Sequence, residues 1–148
     1  MDLRVFAPGP MGLRDDLLRV PLERRFTYDA QQNLFFINFE GQVVRTRSDV
    51  ERIREIVERT LAPLGRKVYV IVNYENFSIL PEVIDEYSAM VKGLVDRFYS
   101  GVTRYTTSGF LRTKLGDALS RREVAPHIYE SADEARSHLR ELETKVSE

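Results

Sequence analysis

Residues 67–73 read KVYVIVN, and this stretch decides the fold. Apolar and β-branched side chains fall on both parities of the run. It therefore reads as a central strand buried on both faces, the kind that helices cover in α/β sheets. The chain on either side fits that reading. Before it, Val50, Ile53, Val57, Leu61 and Leu64 recur at intervals of three or four, with Arg52, Arg54, Glu55, Glu58 and Arg59 between them, which predicts an amphipathic helix. The Ser48 to Glu51 spacing reads as its capping box, and Pro63 and Gly65 end it. After it, residues 74–80 read as a loop and Pro81 as the first residue of a second helix carrying Val83, Tyr87, Met90, Val91, Leu94 and Phe98.

Further out, residues 25–28 and 34–39 are β-prone runs separated by the turn-rich spacer DAQQN, which predicts a hairpin. In the second run Leu34, Phe36 and Asn38 share one face and Phe35, Ile37 and Phe39 the other. Gly101 is expected to restart the chain after the second helix, and residues 102–107 (VTRYTT) read as a strand. Ser108 caps a third helix to about Arg122, and residues 125–130 read as a last short strand. A capping box at Ser131 and Glu134 opens a final helix with Ala135, Leu139 and Leu142 on its apolar side. The order β-β-α-β-α-β-α-β-α predicts one mixed, mostly parallel sheet with helices packed on it. The expected division is an extended leader over 1–24, an α/β domain over 25–144 and a tail over 145–148.

The 148 residues are enough for one domain with a real core, since a chain of this length buries roughly 68–70% of its unfolded surface. Cysteine is absent, which removes disulfides, thiolate metal sites and cysteine nucleophiles from consideration, and His127 and His138 are the only histidines. A net charge of −1 gives no field that would draw the chain to nucleic acid or to an anionic membrane. No apolar run approaches the ~20 residues of a membrane span, and residues 1–20 lack the apolar centre of a signal peptide. The expectation is a soluble cytoplasmic protein with no nucleic-acid or membrane partner and no cofactor.

Two resemblances add to this. The element order over residues 25–142, with LFFINFEG, KVYVIVNYENF and YTTSGF at its strand ends, resembles the STAS-like domains related to bacterial anti-sigma-factor antagonists. Such domains bind partner proteins, nucleotides or apolar ligands, and most are not enzymes. The leader MDLRVFAPGPMGL, through Met1, Asp2, Arg4, Phe6, Gly9, Pro10 and Leu13, resembles the last residues of acyl-CoA:carboxylate CoA-transferases of the propionate and 3-oxoacid type. Those enzymes use a glutamate in a Glu-x-Gly-x-x-Gly motif. Glu40-Gly41 lacks the later glycine, so the catalytic role does not carry over.

Ligands of open α/β sheets lie beyond the carboxyl ends of the strands, which here singles out three segments. Thr106, Thr107 and Ser108 combine hydroxyls with the backbone N–H groups of a helix start, a pattern suited to a phosphate such as that of coenzyme A, with Arg104 or Lys114 adding charge; the same residues also read as an ordinary helix cap. Asn73, Tyr74 and Asn76 form a second, uncharged polar cluster, or else a turn that satisfies its own backbone. Glu40 and Glu75 could meet as an acid and base pair or stand apart as surface carboxylates. The antagonist resemblance places Ser78, in NFSILPE, nearest to that family's phosphorylated serine, although its Asp, second Ser and Gly are missing. His127 reads as a structural residue of the last strand and His138 as solvent-facing. Together these features lead to the expectation of a non-catalytic STAS-like accessory domain, fused to or cut from the carboxyl end of a CoA-transferase, serving in interaction, ligand binding or oligomerisation. Its expected partners are the CoA-transferase catalytic domain, a small acyl, CoA or lipid ligand, and a second copy of itself. The alternatives are a free-standing antagonist-like regulator, phosphorylated near Ser78 or Ser108, and an enzyme domain acting on a CoA or acyl ester.

Overall fold

The apolar run at residues 67–73 does become a central strand. In the computed structural model, which describes residues 21–147 and side chains as far as 143, β1 (Phe26–Asp29), β2 (Leu34–Asn38), β4 (Val68–Asn73) and β6 (Tyr99–Tyr105) form a sheet in the order β1-β2-β4-β6. β1 runs antiparallel to β2, and β4 pairs in parallel with both β2 and β6. The protein is thus α/β, with a mixed four-stranded sheet and helices around it. Most of the leader expected over 1–24, including its CoA-transferase-like stretch, and the final residue of the tail lie outside the described residues.

Strand parity divides the core. Phe35, Ile37, Val68, Val70 and Val72 face three helices: α1 (Arg47–Leu61), α2 (Ile84–Phe98) and α3 (Gly109–Arg121). Leu34, Phe36, Tyr69, Ile71 and Tyr105 face α4 (Ala132–Ser147) through Ala135, Leu139 and Leu142. All six residues that mark the apolar side of α2 in the sequence are buried. The α1 stripe is buried too, apart from half-exposed Leu64 in the short 3-10 turn that follows, and that turn ends on Gly65 at φ 66°.

Four expectations are corrected. The cap of α1 is Thr46 rather than Ser48: its side chain accepts from the Asp49 N–H at 3.1 Å, while the Asp49 carboxylate takes the N–H groups of Arg45 and Thr46. The box has the expected spacing but starts two residues earlier. The segment read as a loop over 74–80 contains β5 (Ser78–Ile79), paired in parallel with β3 (Val43–Val44) in a second, two-stranded sheet. Here the parallel run of β2 and β4 carries on past the strands, through bonds from Gly41 N to Glu75 O (3.0 Å) and from Ser78 N to Gln42 O (3.0 Å). Two-residue pairings are too short to leave a period in the sequence.

β6 begins at Tyr99, directly off α2, with Gly101 inside the strand rather than ahead of it. A Cβ on Gly101 would stand 2.9 Å from Leu142 Cδ1, so the missing side chain admits α4 to the sheet. The strand expected over 125–130 is a single bridge: Tyr129 donates to Arg104 O (2.8 Å) and accepts from Thr106 N (2.9 Å). Pro126, with no N–H to give, limits the pairing there.

Candidate functional site

The strands β2, β4 and β6 end on one row of register partners, Asn38, Asn73 and Tyr105, whose parity sets all three on the α4 face. Hydrogen bonds fix the two amides. Buried Arg25 donates Nη1 to the carbonyls of Asn38 (3.0 Å) and Glu40 (2.9 Å), holding the end of β2. Asn38 Oδ1 accepts from the Glu40 N–H (3.1 Å) and from Asn73 Nδ2 (3.1 Å), while Asn73 Oδ1 accepts from the Glu75 N–H (2.8 Å). A backbone N–H cannot accept, so neither amide can be turned over. Asn38 Nδ2 keeps both hydrogens with no acceptor among the described residues.

One residue further on, parity reverses and the chain turns to the main core. Thr106 is fully buried, and Glu75 Oε1 accepts from Thr106 Oγ1 (3.2 Å), Thr107 N (2.9 Å) and Thr107 Oγ1 (2.9 Å). The donors that read as a phosphate cradle are engaged by a carboxylate of the protein itself, which ties the loop after β4 to the loop after β6. Glu75 therefore acts as an anchor there. Glu40 sits apart from it in function, accepting weakly from Asn73 Nδ2 at 3.4 Å. Ser108 Oγ caps α3 by accepting from Leu111 N at 3.1 Å.

The other expected site residues scatter. Tyr74 and Arg104, placed on the rim by the sequence, are each 2% exposed, because each shares its parity with the apolar core-facing residues of its strand. The Tyr74 hydroxyl meets that of Tyr87 at 2.6 Å. Arg104 Nη1 donates to Ala125 O (3.0 Å), and its Nη2 makes no hydrogen bond among the described residues. Asn76 is exposed in a left-handed turn residue at φ 53°. Lys114 lies over the ring of exposed Phe110, 5.7 Å from its centre. Ser78 is exposed in β5. His127 is exposed and edge-on to Tyr129, with ring centres 4.3 Å apart, and half-buried His138 flanks the same ring at 5.3 Å.

Beside the Asn38, Asn73 and Tyr105 row lies a pocket of about 270 Å³ whose remaining walls include Phe36, Ile71 and Arg136. The Arg136 guanidinium stands over the Phe36 ring, 5.2 Å from its centre, an arrangement that holds a cation at the edge of apolar surface. Burial pushes the Tyr105 hydroxyl up from its ordinary value; the Arg136 charge opposes this and the Glu40 and Glu75 charges add to it. Of the pocket's polar residues the sequence reading singled out Asn73 alone. The parity of LFFIN places Phe36 and Asn38 together, and Arg136 follows Ala135 on the border of the α4 apolar side, but only the register joins them. Among the described residues no group of three or more metal-ligating side chains converges, and no helix is long and apolar enough to cross a membrane. Comparisons of the chain with protein-family models, with curated proteins and with solved structures find no match.

Proposed function

We propose that the domain is a non-catalytic STAS-like binding module, accessory to an acyl-CoA:carboxylate CoA-transferase, and that the pocket beside Asn38, Asn73 and Tyr105 is where it takes a small ligand. The observation carrying this reading is the place of the pocket: it opens at the carboxyl ends of three adjacent strands, where open α/β sheets take ligands. The mix of apolar floor and a few oriented polar groups suits a binding site. The hydroxyls after β6 serve the fold through Glu75, which favours the α4 side of the rim over the α3 side. The link to a CoA-transferase rests on the resemblance of residues 1–13, and the STAS-like reading on the element order. Thermal-shift measurements with CoA, acyl-CoAs and free fatty acids test the binding role. A ligand at 100 times its Kd stabilises by ~2.7 kcal/mol, well within detection. No shift with any of them, together with unmoved NMR signals from Asn38 and Asn73 side-chain amides, overturns the reading.

A further inference from the structure

Three side chains that line this pocket have hydrogens to donate that no described residue takes. Asn38 Nδ2 has two hydrogens to give, and its orientation is locked by the Glu40 N–H on the opposite side of the amide. Tyr105 brings a hydroxyl that makes no hydrogen bond among the described residues, and Arg136 brings a guanidinium that pairs with no carboxylate among them. The amide oxygens nearby are engaged, since Asn38 Oδ1 holds the Glu40 N–H and Asn73 Oδ1 holds the Glu75 N–H; of the two carboxylates behind the row, Glu75 Oε1 holds the two threonines and Glu40 Oε1 is reached by Asn73 Nδ2. Three unused donors call for a ligand that offers acceptors, and Arg136, the one charged side chain among the lining residues and a stronger influence on Tyr105 than Glu40 or Glu75 behind the row, favours one that is negative. The apolar part of the wall, Phe36 and Ile71, calls for a hydrocarbon portion. A volume of about 270 Å³ lies below the ~300–1,000 Å³ of sites for drug-sized molecules, which limits that portion to a short chain or a single ring.

From this donor set we infer that the pocket selects short-chain carboxylic acids in their ionised form, with the carboxylate received by Asn38 Nδ2, the Tyr105 hydroxyl and Arg136, and the hydrocarbon part against Phe36 and Ile71. The inference rests on the binding role proposed above and specifies the ligand class for the same site. Neutral analogues of the same shape lack the charge that Arg136 answers. A coenzyme A moiety exceeds the pocket and would remain outside it.

The test is a titration of the full 148-residue chain with sodium butyrate, hexanoate and benzoate, alongside butyramide and hexanol, followed by melting temperature and by NMR of the side-chain amides. The carboxylates are expected to raise the melting temperature saturably and to shift the Asn38 amide, and the neutral compounds to do neither. Three variants keep the fold and change the recognition. Asn38→Asp retains the oxygen that accepts from Glu40 and Asn73 but replaces the donor with charge, Arg136→Met keeps a stem on Phe36, and Tyr105→Phe removes only the hydroxyl. Loss of a hydrogen bond to a charged group predicts at least about a tenfold weaker Kd for Asn38→Asp and Arg136→Met, with Lys92→Ala on α2 unchanged. Undiminished butyrate affinity in Asn38→Asp overturns the inference. Shifts of the pocket signals by neutral compounds but not by carboxylates overturn the ligand class and leave the binding role standing. No response to either kind overturns both.

Discussion

Three tyrosines make the stability of this fold sensitive to alkali. Tyr74, Tyr87 and Tyr99 are 2%, 1% and 7% exposed under the main face of the sheet. Burial pushes each hydroxyl above its ordinary value, Tyr87 well above it; the Arg104 charge works against the shift, and in Tyr87 and Tyr99 the neighbouring Tyr74 adds to it. In the unfolded chain they ionise near pH ~10. The folded state holds them neutral, so their contribution is complete below pH ~10 and is lost as pH rises above it towards the folded values. At pH 11 an unfolded tyrosine is about 90% ionised, and a ring still neutral in the fold then forfeits ~1.4 kcal/mol, about 3 kcal/mol for Tyr87 and Tyr99, the two most strongly shifted. That is a large share of the ~5–15 kcal/mol by which domains are stable. Guanidinium denaturation followed by circular dichroism between pH 9 and 11, with tyrosinate absorbance recorded in parallel, measures it. Tyr99→Phe removes one hydroxyl and should reduce the loss over that range by ~1.4 kcal/mol. A variant with the same pH dependence as the parent, or tyrosinate from all seven rings while the dichroism stays native, would refute the reasoning.

Other substitutions probe the remaining devices of the fold, each read by urea denaturation. Glu75→Ala leaves Thr106 Oγ1 and the Thr107 N–H without their acceptor and should cost about 2–3 kcal/mol, while Glu75→Gln keeps an oxygen in place and should recover most of it. Thr46→Ala should cost about 1 kcal/mol, and adding Asp49→Ala should cost less than the two changes apart, because both serve the same cap. Gly101→Val should cost about 1–3 kcal/mol through contact with Leu142, and Leu142→Ala in the same chain should return part of that cost.

Elements with a long period were legible in the sequence, and those made by pairing were not. The apolar sides of α1 and α2 and the two-faced burial of β2 and β4 follow from side-chain spacing, which extends over enough residues to outweigh local exceptions. The two-residue strands β3 and β5 have no such length, and they exist because their neighbours already run side by side. Gly101 reads as a break in isolation. Inside β6 it is a place where a helix comes close, a fact that belongs to Leu142, 41 positions later. The segment over 125–130 shows the reverse case, in which β-prone residues obtain a single rung because Pro126 and the start of α4 leave no room for more.

The candidate site was half legible for a related reason. The sequence led to the right end of the sheet, since strand ends can be counted along the chain, but its residues there fall on two opposite faces. Tyr74 and Thr106 belong with the core, one position past Asn73 and Tyr105, and a rim read as continuous is in fact split between them. Parity within one strand can be read from sequence, yet which residue of β2 stands beside which residue of β4 depends on register, and a slip of one exchanges the faces. Here the register brings the polar end of each strand into one row, Asn38, Asn73 and Tyr105. That row explains why the amide oxygens are consumed and the Asn38 amide hydrogens are left. Asn38 and Asn73 use their oxygens on the backbone N–H two residues ahead, the ordinary way such side chains end a strand, and this turns the Asn38 amide hydrogens outward. The same geometry that closes the strands therefore gives the pocket its polarity, and Arg136, arriving from α4, agrees with it in sign.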